Sequence, residues 1–268
     1  MINFSLILPI HFDLHYKTFK KSFDSLMKQT LKPTEYVIVL DGPIKPIISS
    51  YIKNFLNEKN VKIIKNVKNI GLGKSLNKAI LKCNYEIIIR ADSDVIYDIN
   101  RNKELILFYK KNKNIDIFGS WMLEVDSFNK TYRKKTPIKN NVIRFTMNFR
   151  NPINHPTVMF KKNKIISAGN YKHMPFFEDY YLWLRCKKIG INFLNIKKNL
   201  ALTNIDLGYI KRRDGIPYFI NFLEFQKNAY EEKLISGFFI LANILIRLSI
   251  LPFSSKIKLY IYKKFLRS

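Results

Sequence analysis

The sequence predicts an α/β protein with a mostly parallel sheet flanked by helices, and three observations support this fold class. In the first hundred residues, short apolar runs alternate with amphipathic stretches of helical length. Polar or acidic residues follow several of these runs, at the points where strands would end. The composition, 47% hydrophobic and 25% charged over 268 residues, is typical of a globular protein with a sizeable core. It excludes a disulfide miniprotein, a collagen-like fibre and a disordered tail.

The first hundred residues predict strands and helices in strict alternation. Strands separated by helices of this length imply right-handed crossovers and parallel pairing. The carboxyl ends of parallel strands meet at one edge of the sheet, where ligands bind. We therefore expect Pro9, Asp41 and the turn after residue 90 at that edge. The expected strands are 3–9, 35–40, 61–64 and 86–90, and the expected helices are 16–29, 47–56 and 72–81.

Beyond residue 100 the pattern is less regular and predicts a mixed extension of the sheet. The expected strands are 115–125, 131–133, 158–160 and 191–196, and the expected helices are 104–109 and 180–188. No internal repeat or low-complexity linker separates these segments. Residues 1–205 are therefore interpreted as one domain.

The residues after 205 differ in character. Leu234–Ile246 reads LISGFFILANILI, which is thirteen residues, whereas a membrane span needs roughly 18. One interpretation is a helix buried in the core. The other, which we favour, is a helix lying in the plane of an anionic membrane surface. Residues 206–268 are thus predicted to form a helical, membrane-associating region. The basic residues expected beside the headgroups are Lys256, Lys258, Lys263, Lys264 and Arg267.

The charge balance is strongly basic, with 47 Lys and Arg against 20 Asp and Glu and a formal net charge of +27. Such an excess suggests nucleic acid or an anionic membrane as a partner. It is evenly spread, with 36 basic and 15 acidic residues in 1–205 and 11 and 5 in 206–268. Lys, Asn and Ile make up 103 of the 268 residues, as expected from an AT-rich coding sequence. We expect no nucleic-acid partner, because a dedicated binding surface would be clustered.

Cysteine use and the N-terminal segment predict a cytoplasmic location. Cys83 and Cys186 stand alone, without the spacing of a zinc site or a paired redox motif. The N-terminal segment lacks a basic start and a small-residue cleavage site, so we interpret it as a first buried strand.

The scarce acidic residues are informative by their positions. Asp92 and Asp94 are two residues apart at the end of an Ile-rich strand, and a turn there allows both carboxylates to converge. Two carboxylates on a loop suit Mg²⁺ or Mn²⁺, which keeps open positions for phosphate oxygens. The alternative is a turn in which Asp side chains cap backbone amides.

Two further segments can bind a nucleotide. Asp41 ends the second strand, where a carboxylate can accept from a base imide or a ribose hydroxyl. The alternative is a plain Asp-Gly turn. The segment NIGLGKSLN (69–77) opens a helix whose first amides favour an anion. It is not a Walker loop, because the GxxxxGK[ST] spacing is absent.

Glu178 and Asp179 form another acidic pair, at the start of a helix. Acidic residues are electrostatically favoured in a first helical turn, which is the structural interpretation. In the catalytic interpretation, Asp179 is a general base that deprotonates an acceptor hydroxyl during attack on a sugar carbon.

Taken in order, eight stretches resemble a family 2 glycosyltransferase of the GT-A fold, and they cover most of residues 3–213. They are SLILPIHF, EYVIVLDG, NIGLGKSLNKAI, IIIRADSD, INHPTVMFKK, SAGNY, FEDYYLWLRCKKIGINFLNI and GYIKRRDG. The resemblance is to bacterial enzymes that build exopolysaccharide, capsule or lipopolysaccharide O-chains. It implies a Rossmann-like sheet, a nucleotide-sugar donor (usually a UDP-sugar) and a divalent metal, Mn²⁺ or Mg²⁺.

The resemblance also implies a role for each matching residue. Asp94 would bind the metal at the diphosphate, Asp92 would lie near the ribose or the metal, and Asp179 would be the base of an inverting displacement. The nucleotide-binding residues would be Pro9, Asp41, Arg90 and Asp92. Further candidate donor or acceptor contacts are Gly71, Lys74, Asn77, His155, Glu178, Trp183, Arg212 and Arg213.

Departures from the family pattern narrow the prediction. Many relatives have a further Asp where this chain has Val95, and the Gln-x-x-Arg-Trp signature of processive members is absent. We therefore predict transfer of a single sugar to a growing lipid-linked glycan, at the inner face of the cell membrane. The alternatives are a nucleotidyltransferase acting on sugar phosphates, a basic nucleic-acid-binding protein and a degenerate enzyme acting as a scaffold.

Overall fold

A computed structural model describes residues 2–54 and 60–267, and its first part contains the predicted alternation of strands and helices. The predicted end of the second helix, at residues 55 and 56, lies outside the described residues. The elements of this part are β1 (Phe4–His11), α1 (Tyr16–Met27), β2 (Glu35–Asp41), α2 (Pro46–Lys53), β3 (Val61–Lys65), α3 (Leu72–Lys82), β4 (Ile87–Arg90), β5 (Ile96–Tyr97) and α4 (Arg101–Lys111).

Four of these strands pair in parallel, in the order β3-β2-β1-β4. Every residue of β2 and β4 is buried, which explains their continuous apolar runs of Ile, Val and Leu. In β1, Ile7 lies opposite Val37 on one side and Arg90 on the other. The parallel half of the prediction is confirmed.

The second part of the chain extends the sheet with mixed pairing. Its elements are β6 (Ile117–Val125), β7 (Thr131–Lys134), α5 (Asn140–Thr146), β8 (Met159–Lys161), α6 (Lys162–Ser167), α7 (Glu178–Lys188) and β9 (Phe193–Asn204). β8 is antiparallel to both β4 and β6, whereas β6 and β9 are parallel. Over the described residues the sheet has nine strands.

β9 differs most from the prediction, because it continues to Asn204 instead of ending at residue 196. Its second half pairs with β6 on one side and β5 on the other, so tertiary contacts extend the strand. Polar residues such as Lys197 and Lys198 interrupt the apolar pattern here, and they lie beside two register shifts against β6. Local sequence alone gives no sign of that pairing.

Four helices follow the sheet: α8 (Leu207–Lys211), α9 (Gly215–Glu231), α10 (Gly237–Ile250) and α11 (Ser255–Leu266). Phe225 and Ala229 of α9 belong to the same buried core cluster as Val37 of β2 and Trp183 of α7. α10 has two faces, with Asn243 buried and Leu241 and Leu245 exposed. Within residues 2–54 and 60–267, no helix is long and apolar enough to cross a bilayer.

The basic tail differs from its prediction, because three of its cations face the protein. Lys258 pairs with Asp214, and Lys263 pairs with Asp126 at 2.5 Å. Arg267 pairs with Glu124, which is 1% exposed at the end of β6. These carboxylates lie beneath α11, so the cations satisfy them and do not point outward to a headgroup layer.

Candidate active site

The carboxyl ends of the parallel strands form one edge, as predicted, and the candidate residues lie along it. Pro9 is buried in β1 opposite Val39, just past the last residue that pairs with β4. Its missing N–H therefore costs no ladder hydrogen bond on that side. His11 and Asp41 end β1 and β2 as register partners. β1 stays paired with β2 for four residues beyond its last pair with β4, and the turn that carries the acidic pair follows β4.

That turn, residues 91–95, is fixed by contacts from three directions. The Asp92 carboxylate forms an ion pair with the buried Arg90 guanidinium. The Asp92 backbone amide donates to the Tyr97 hydroxyl at 2.6 Å, and Ser22 Oγ donates to the Asp92 carbonyl at 2.9 Å. The position of Asp92 is thus set before any ligand arrives.

Asp94 is solvent-accessible and has no ion pair with any described residue. Desolvation by the surrounding protein, followed by the negative charge of Asp92, raises the pKa of Asp94, and the charges of His11 and Arg90 partly oppose this. A cation between the two carboxylates would relieve that repulsion.

The donor set fits a divalent ion only when substrate oxygens complete it. No group of three or more His, Cys, Asp or Glu side chains with metal-binding geometry occurs in the described part of the chain. Asp92 and Asp94 would supply two hard oxygen ligands, and diphosphate oxygens and water would supply the others. Such a site suits a metal that arrives with a nucleotide.

Arg90 acts electrostatically on both acidic parts of the candidate site. Burial by itself would lower the pKa of Arg90, but the negative charge of Asp92, with smaller contributions that include Asp179, outweighs burial and raises it. Its Nε and Nη1 atoms are buried without a protein partner among the described residues. Its positive charge favours the charged forms of Asp94 in the acidic turn and of Asp179, the predicted base.

Asp179 is held by two hydrogen bonds in the first turn of α7. The Asn151 side-chain amide donates to Oδ2 at 2.7 Å, and the Tyr180 backbone amide donates to Oδ1 at 2.8 Å. Burial raises the pKa of Asp179, while Tyr180, Arg90 and Asn151 act to lower it. Each carboxylate oxygen keeps a lone pair for a further donor. A positioned carboxylate with a raised pKa is suited to accept a proton.

His155 lies beside Asp179, with Nδ1 at 3.9 Å from Oδ2, which is too long for a hydrogen bond. Its Nε2 shares a hydrogen bond of 2.8 Å with the Tyr171 hydroxyl. Burial, and then the charge of Arg90, lowers the pKa of His155 well below its usual value, so the ring is neutral. Trp183 has no exposed surface and packs its ring edge-on against His155, so it supports the histidine from behind.

Asp41 and the glycine-rich segment bind each other. Asp41 Oδ1 accepts from the Ile70 amide at 2.9 Å and from the Asn66 side chain at 3.0 Å. Asp41 Oδ2 accepts from the Gly71 amide at 3.1 Å. Gly71 has φ of 91°, which favours glycine. The carboxylate thereby shapes the loop that opens α3, and its contact with a nucleoside stays a prediction.

Asn77 and Gly73 join α3 to the base segment. The Asn77 side chain donates to the Tyr171 carbonyl at 2.8 Å and accepts from the Tyr171 amide at 2.9 Å. A Cβ at Gly73 would lie 3.3 Å from the Tyr171 Cβ and 3.7 Å from the Glu178 Cγ. Asn77 is therefore used to fix Tyr171, whereas Lys74 on the same helix is exposed.

Glu178 differs from its neighbour Asp179. Burial raises the pKa of Glu178 to about 7, and the charge of Asp179 adds to that effect.

Arg212 and Arg213 lie in the exposed turn after α8. The Arg213 guanidinium lies over the Tyr209 ring, 4.0 Å from its centroid. Contact of Glu178, Arg212 and Arg213 with a substrate stays a prediction.

Sequence reasoning missed Asn151 and Tyr171 as site residues, although both lie in or beside matched stretches. Neither carries a charge, and nothing in the local pattern marks them. The two residues reach the site from the loop before His155 and from the loop before α7. Only the packing of these loops shows that Asn151 contacts Asp179 and that Tyr171 contacts His155.

Residues 5–173 match the family described as "Glycosyl transferase family 2". The chain is 34% identical over 267 residues to the UDP-Gal:alpha-D-GlcNAc-diphosphoundecaprenol beta-1,3-galactosyltransferase of Escherichia coli, covering 98% of this chain and 96% of that protein. It is 30% identical over 231 residues to the amylovoran biosynthesis glycosyltransferase AmsE of Erwinia amylovora, covering 86% of this chain and 85% of that protein.

Solved structures show the same fold. The chain resembles S. aureus TarS with a TM-score of 0.68 and 18% identity, over 98% of this chain and 46% of TarS, so it spans about half of that protein. The similarity to residues 1–349 of TarS in complex with UDP-GlcNAc has a TM-score of 0.67 and covers 98% of this chain and 77% of the fragment. The predicted α/β GT-A architecture is confirmed by this likeness.

Proposed function

This chain belongs to glycosyltransferase family 2 and is a glycosyltransferase, and on that premise we propose that it transfers one sugar from a UDP-sugar to a glycan linked to a lipid diphosphate, inverting the anomeric carbon. One observation carries the proposal. Arg90 forms an ion pair with Asp92 of the acidic turn, and its charge also acts on Asp179, the proposed base, which comes from a different segment. An inverting displacement needs a leaving-group site and a base on opposite sides of one sugar.

In the proposed reaction, Asp179 Oδ2 or Oδ1 accepts the proton of the acceptor hydroxyl. The acceptor oxygen forms a bond to the anomeric carbon as the bond to the diphosphate oxygen breaks, and UDP leaves. Asn151 and the Tyr180 amide orient the base, since they bind its two oxygens. Arg90 contributes fixed positive charge in a buried setting, where electrostatic stabilisation is strong.

A divalent metal, Mn²⁺ or Mg²⁺, belongs to this proposal, with Asp94 and Asp92 as its protein ligands. When bound, it would supply positive charge to the leaving diphosphate. We expect EDTA to abolish transfer and added Mn²⁺ or Mg²⁺ to restore it. Asp94→Asn should raise the metal concentration required for half-maximal rate, as measured by metal titration of UDP release. Full activity in the presence of EDTA would show that transfer does not require a divalent metal.

The acceptor class rests on the E. coli relative, whose name specifies a GlcNAc-diphosphoundecaprenol substrate. A lipid-linked acceptor also fits the exposed apolar residues of the C-terminal helices, including Ile216, Phe238 and Leu245. We propose that these helices hold the enzyme at the cytoplasmic face of the cell membrane.

The test is a transfer assay with a panel of nucleotide sugars and a short-chain GlcNAc-diphosphate lipid. We expect one UDP-sugar to give a product that is one sugar larger, with release of UDP and a new linkage of inverted configuration. Asp179→Asn should lower the rate by about 10²–10⁴-fold while UDP binding is retained. Release of pyrophosphate would indicate nucleotidyl transfer, and wild-type turnover of Asp179→Asn would show that the base is another group.

A further inference from the structure

Two arginines near the site lack a carboxylate partner among the described residues. In the same C-terminal region, Lys258, Lys263 and Arg267 all form ion pairs. Arg213 and Arg247 form none. The carboxylate beside Arg213, Asp214, is occupied by Lys258 and Ser255. Guanidinium groups without a counter-ion are suited to bind an external anion.

Each arginine stacks on its own tyrosine ring, Arg213 Nη1 donates to the Tyr209 carbonyl at 3.3 Å, and one hydrogen bond joins the two arginine residues. The Arg247 Cζ lies 4.6 Å from the centroid of Tyr218, and the Arg213 Cζ lies 4.0 Å from that of Tyr209. Arg247 Nη2 also donates to the Arg213 carbonyl at 2.9 Å. Stacking on a ring leaves N–H groups at the guanidinium edge available for a planar, multidentate contact.

The aromatic backing of Arg247 connects directly to the base segment. The centroid of the Tyr218 ring lies 5.2 Å from that of Phe176 and 5.3 Å from that of Phe177. These two residues immediately precede Glu178. Burial raises the pKa of Tyr218, while the charges of Arg247 and Arg213 lower it and that of Asp179 raises it. Tyr218 therefore contacts both Arg247 and the two residues that precede the acidic pair.

Phe176 has an unusual conformation at this position. Its φ is 70°, in the left-handed region that a bulky residue rarely adopts, and its side chain is 48% exposed. The strained backbone directs an aromatic ring to the surface beside Tyr218. Contacts therefore run from Phe176, two residues before Glu178, through Tyr218 to Arg247 and Arg213.

From this order we propose that Arg213 and Arg247 bind the diphosphate of the acceptor, with Phe176 and Tyr218 alongside its sugar. The inference rests on the proposed function, in which the acceptor sugar is joined directly to a diphosphate. Such an acceptor must place its diphosphate about one sugar ring from the base. The donor diphosphate is assigned elsewhere, to the turn of Asp92 and Asp94 that His11 and Arg90 face.

The test measures binding of two named probes, an alkyl diphosphate that lacks a sugar and UDP, to the full chain. We expect Arg247→Ala to weaken binding of the alkyl diphosphate by about 10- to 100-fold and to change the Kd of UDP by less than twofold. Arg247→Lys, which keeps the charge, should restore part of the affinity. Lys227→Ala is the matched control, because it removes a positive charge from α9 where the side chain is 73% exposed.

Two binding results would overturn the inference. Weaker UDP binding with unchanged alkyl diphosphate binding would assign the arginines to the donor. Equal binding of the alkyl diphosphate to wild type and Arg247→Ala, or none to wild type, would remove the subsite. If Arg247→Ala unfolds, Arg213→Ala replaces it, with UDP binding as the check on folding. The transfer assay tests the proposed function separately. If the wild-type enzyme transferred sugar to no acceptor, the proposed function would be wrong, whatever the binding measurements show.

Discussion

Glu178 and Asp179 are adjacent carboxylates in one helical turn, yet their surroundings give them different properties. Asp179 accepts hydrogen bonds from Asn151 and Tyr180, which favour its charged form. No described side chain donates a hydrogen bond to Glu178, and burial raises its pKa to about 7. The difference between the two residues is one of hydrogen bonding, since both are largely buried.

Replacement of Glu178 by Gln should stabilise the protein at alkaline pH. The folded-state pKa of about 7 lies above the ordinary 4.5, so the folded protein holds an extra proton between these values. Stability therefore falls as pH rises through this window and is lowest above it. Glu178→Gln should raise the free energy of unfolding by about 1–2 kcal/mol at pH 8 and change it little at pH 4.5. Urea unfolding at the two pH values tests this, and equal effects would contradict the raised pKa.

Asn151 should control both the position and the basicity of Asp179. Its hydrogen bond lowers the pKa of the carboxyl, so Asn151→Ala should move the acid limb of the rate profile to higher pH. We also expect kcat to fall by about 10-fold or more. Asn141→Ala, an exposed substitution in α5, is the control. A pH–rate profile with an unmoved acid limb would show that Asn151 has no influence on the base.

At the scale of elements, α10 packs on the protein as a core helix would, and its contact with a membrane stays a prediction. Phe239 and Ile240 pack against the main core cluster, and Asn243 donates to the Asn148 carbonyl at 2.9 Å. The opposite face exposes Phe238, Leu241 and Leu245, which are 57–75% accessible. The helix is therefore docked on the protein by one face and leaves an apolar face open.

The double substitution Leu241→Glu and Leu245→Glu should weaken binding to anionic phospholipid vesicles. Acidic groups on the apolar face are costly to bury among lipid chains and are repelled by the headgroups. We expect most of the vesicle-bound fraction to be lost in a sedimentation assay. Leu81→Glu, at a similarly exposed position on α3, should bind as wild type does. Equal binding of all three proteins would refute attachment through α10.

At the scale of the whole molecule, the C-terminal helices share their core with the sheet domain. Phe225 has no exposed surface and stacks on Phe177, with ring centroids 4.9 Å apart. Phe177 immediately precedes Glu178 and Asp179, so α9 packs against the segment that carries this acidic pair. The division at residue 205 stays a prediction, but these contacts mean that residues 1–205 alone would expose part of the main core.

Phe225→Ala should destabilise the protein by about 3–5 kcal/mol, because it leaves a cavity in a packed aromatic cluster. Phe238→Ala is the matched control, since this ring is 75% exposed on α10. Thermal unfolding should show a clear fall in Tm for the first variant and little change for the second. Similar Tm values for both would mean that α9 contributes little to the fold.

Local sequence patterns sufficed to predict which segments of the parallel half form strands and helices, the edge at which polar residues gather, and the family. These depend on local patterns: apolar runs of strand length, helical spacing and motifs in fixed order. The scarcity of carboxylates in a chain of +27 net charge also marked Asp92, Asp94 and Asp179 as candidate site residues, and their roles stay predictions. The folded structure was needed to show how β9 pairs, which cations of the tail face the protein, and that Asn151 contacts Asp179 and Tyr171 contacts His155. Those features depend on contacts between residues far apart in the chain, for which a local pattern carries no signal.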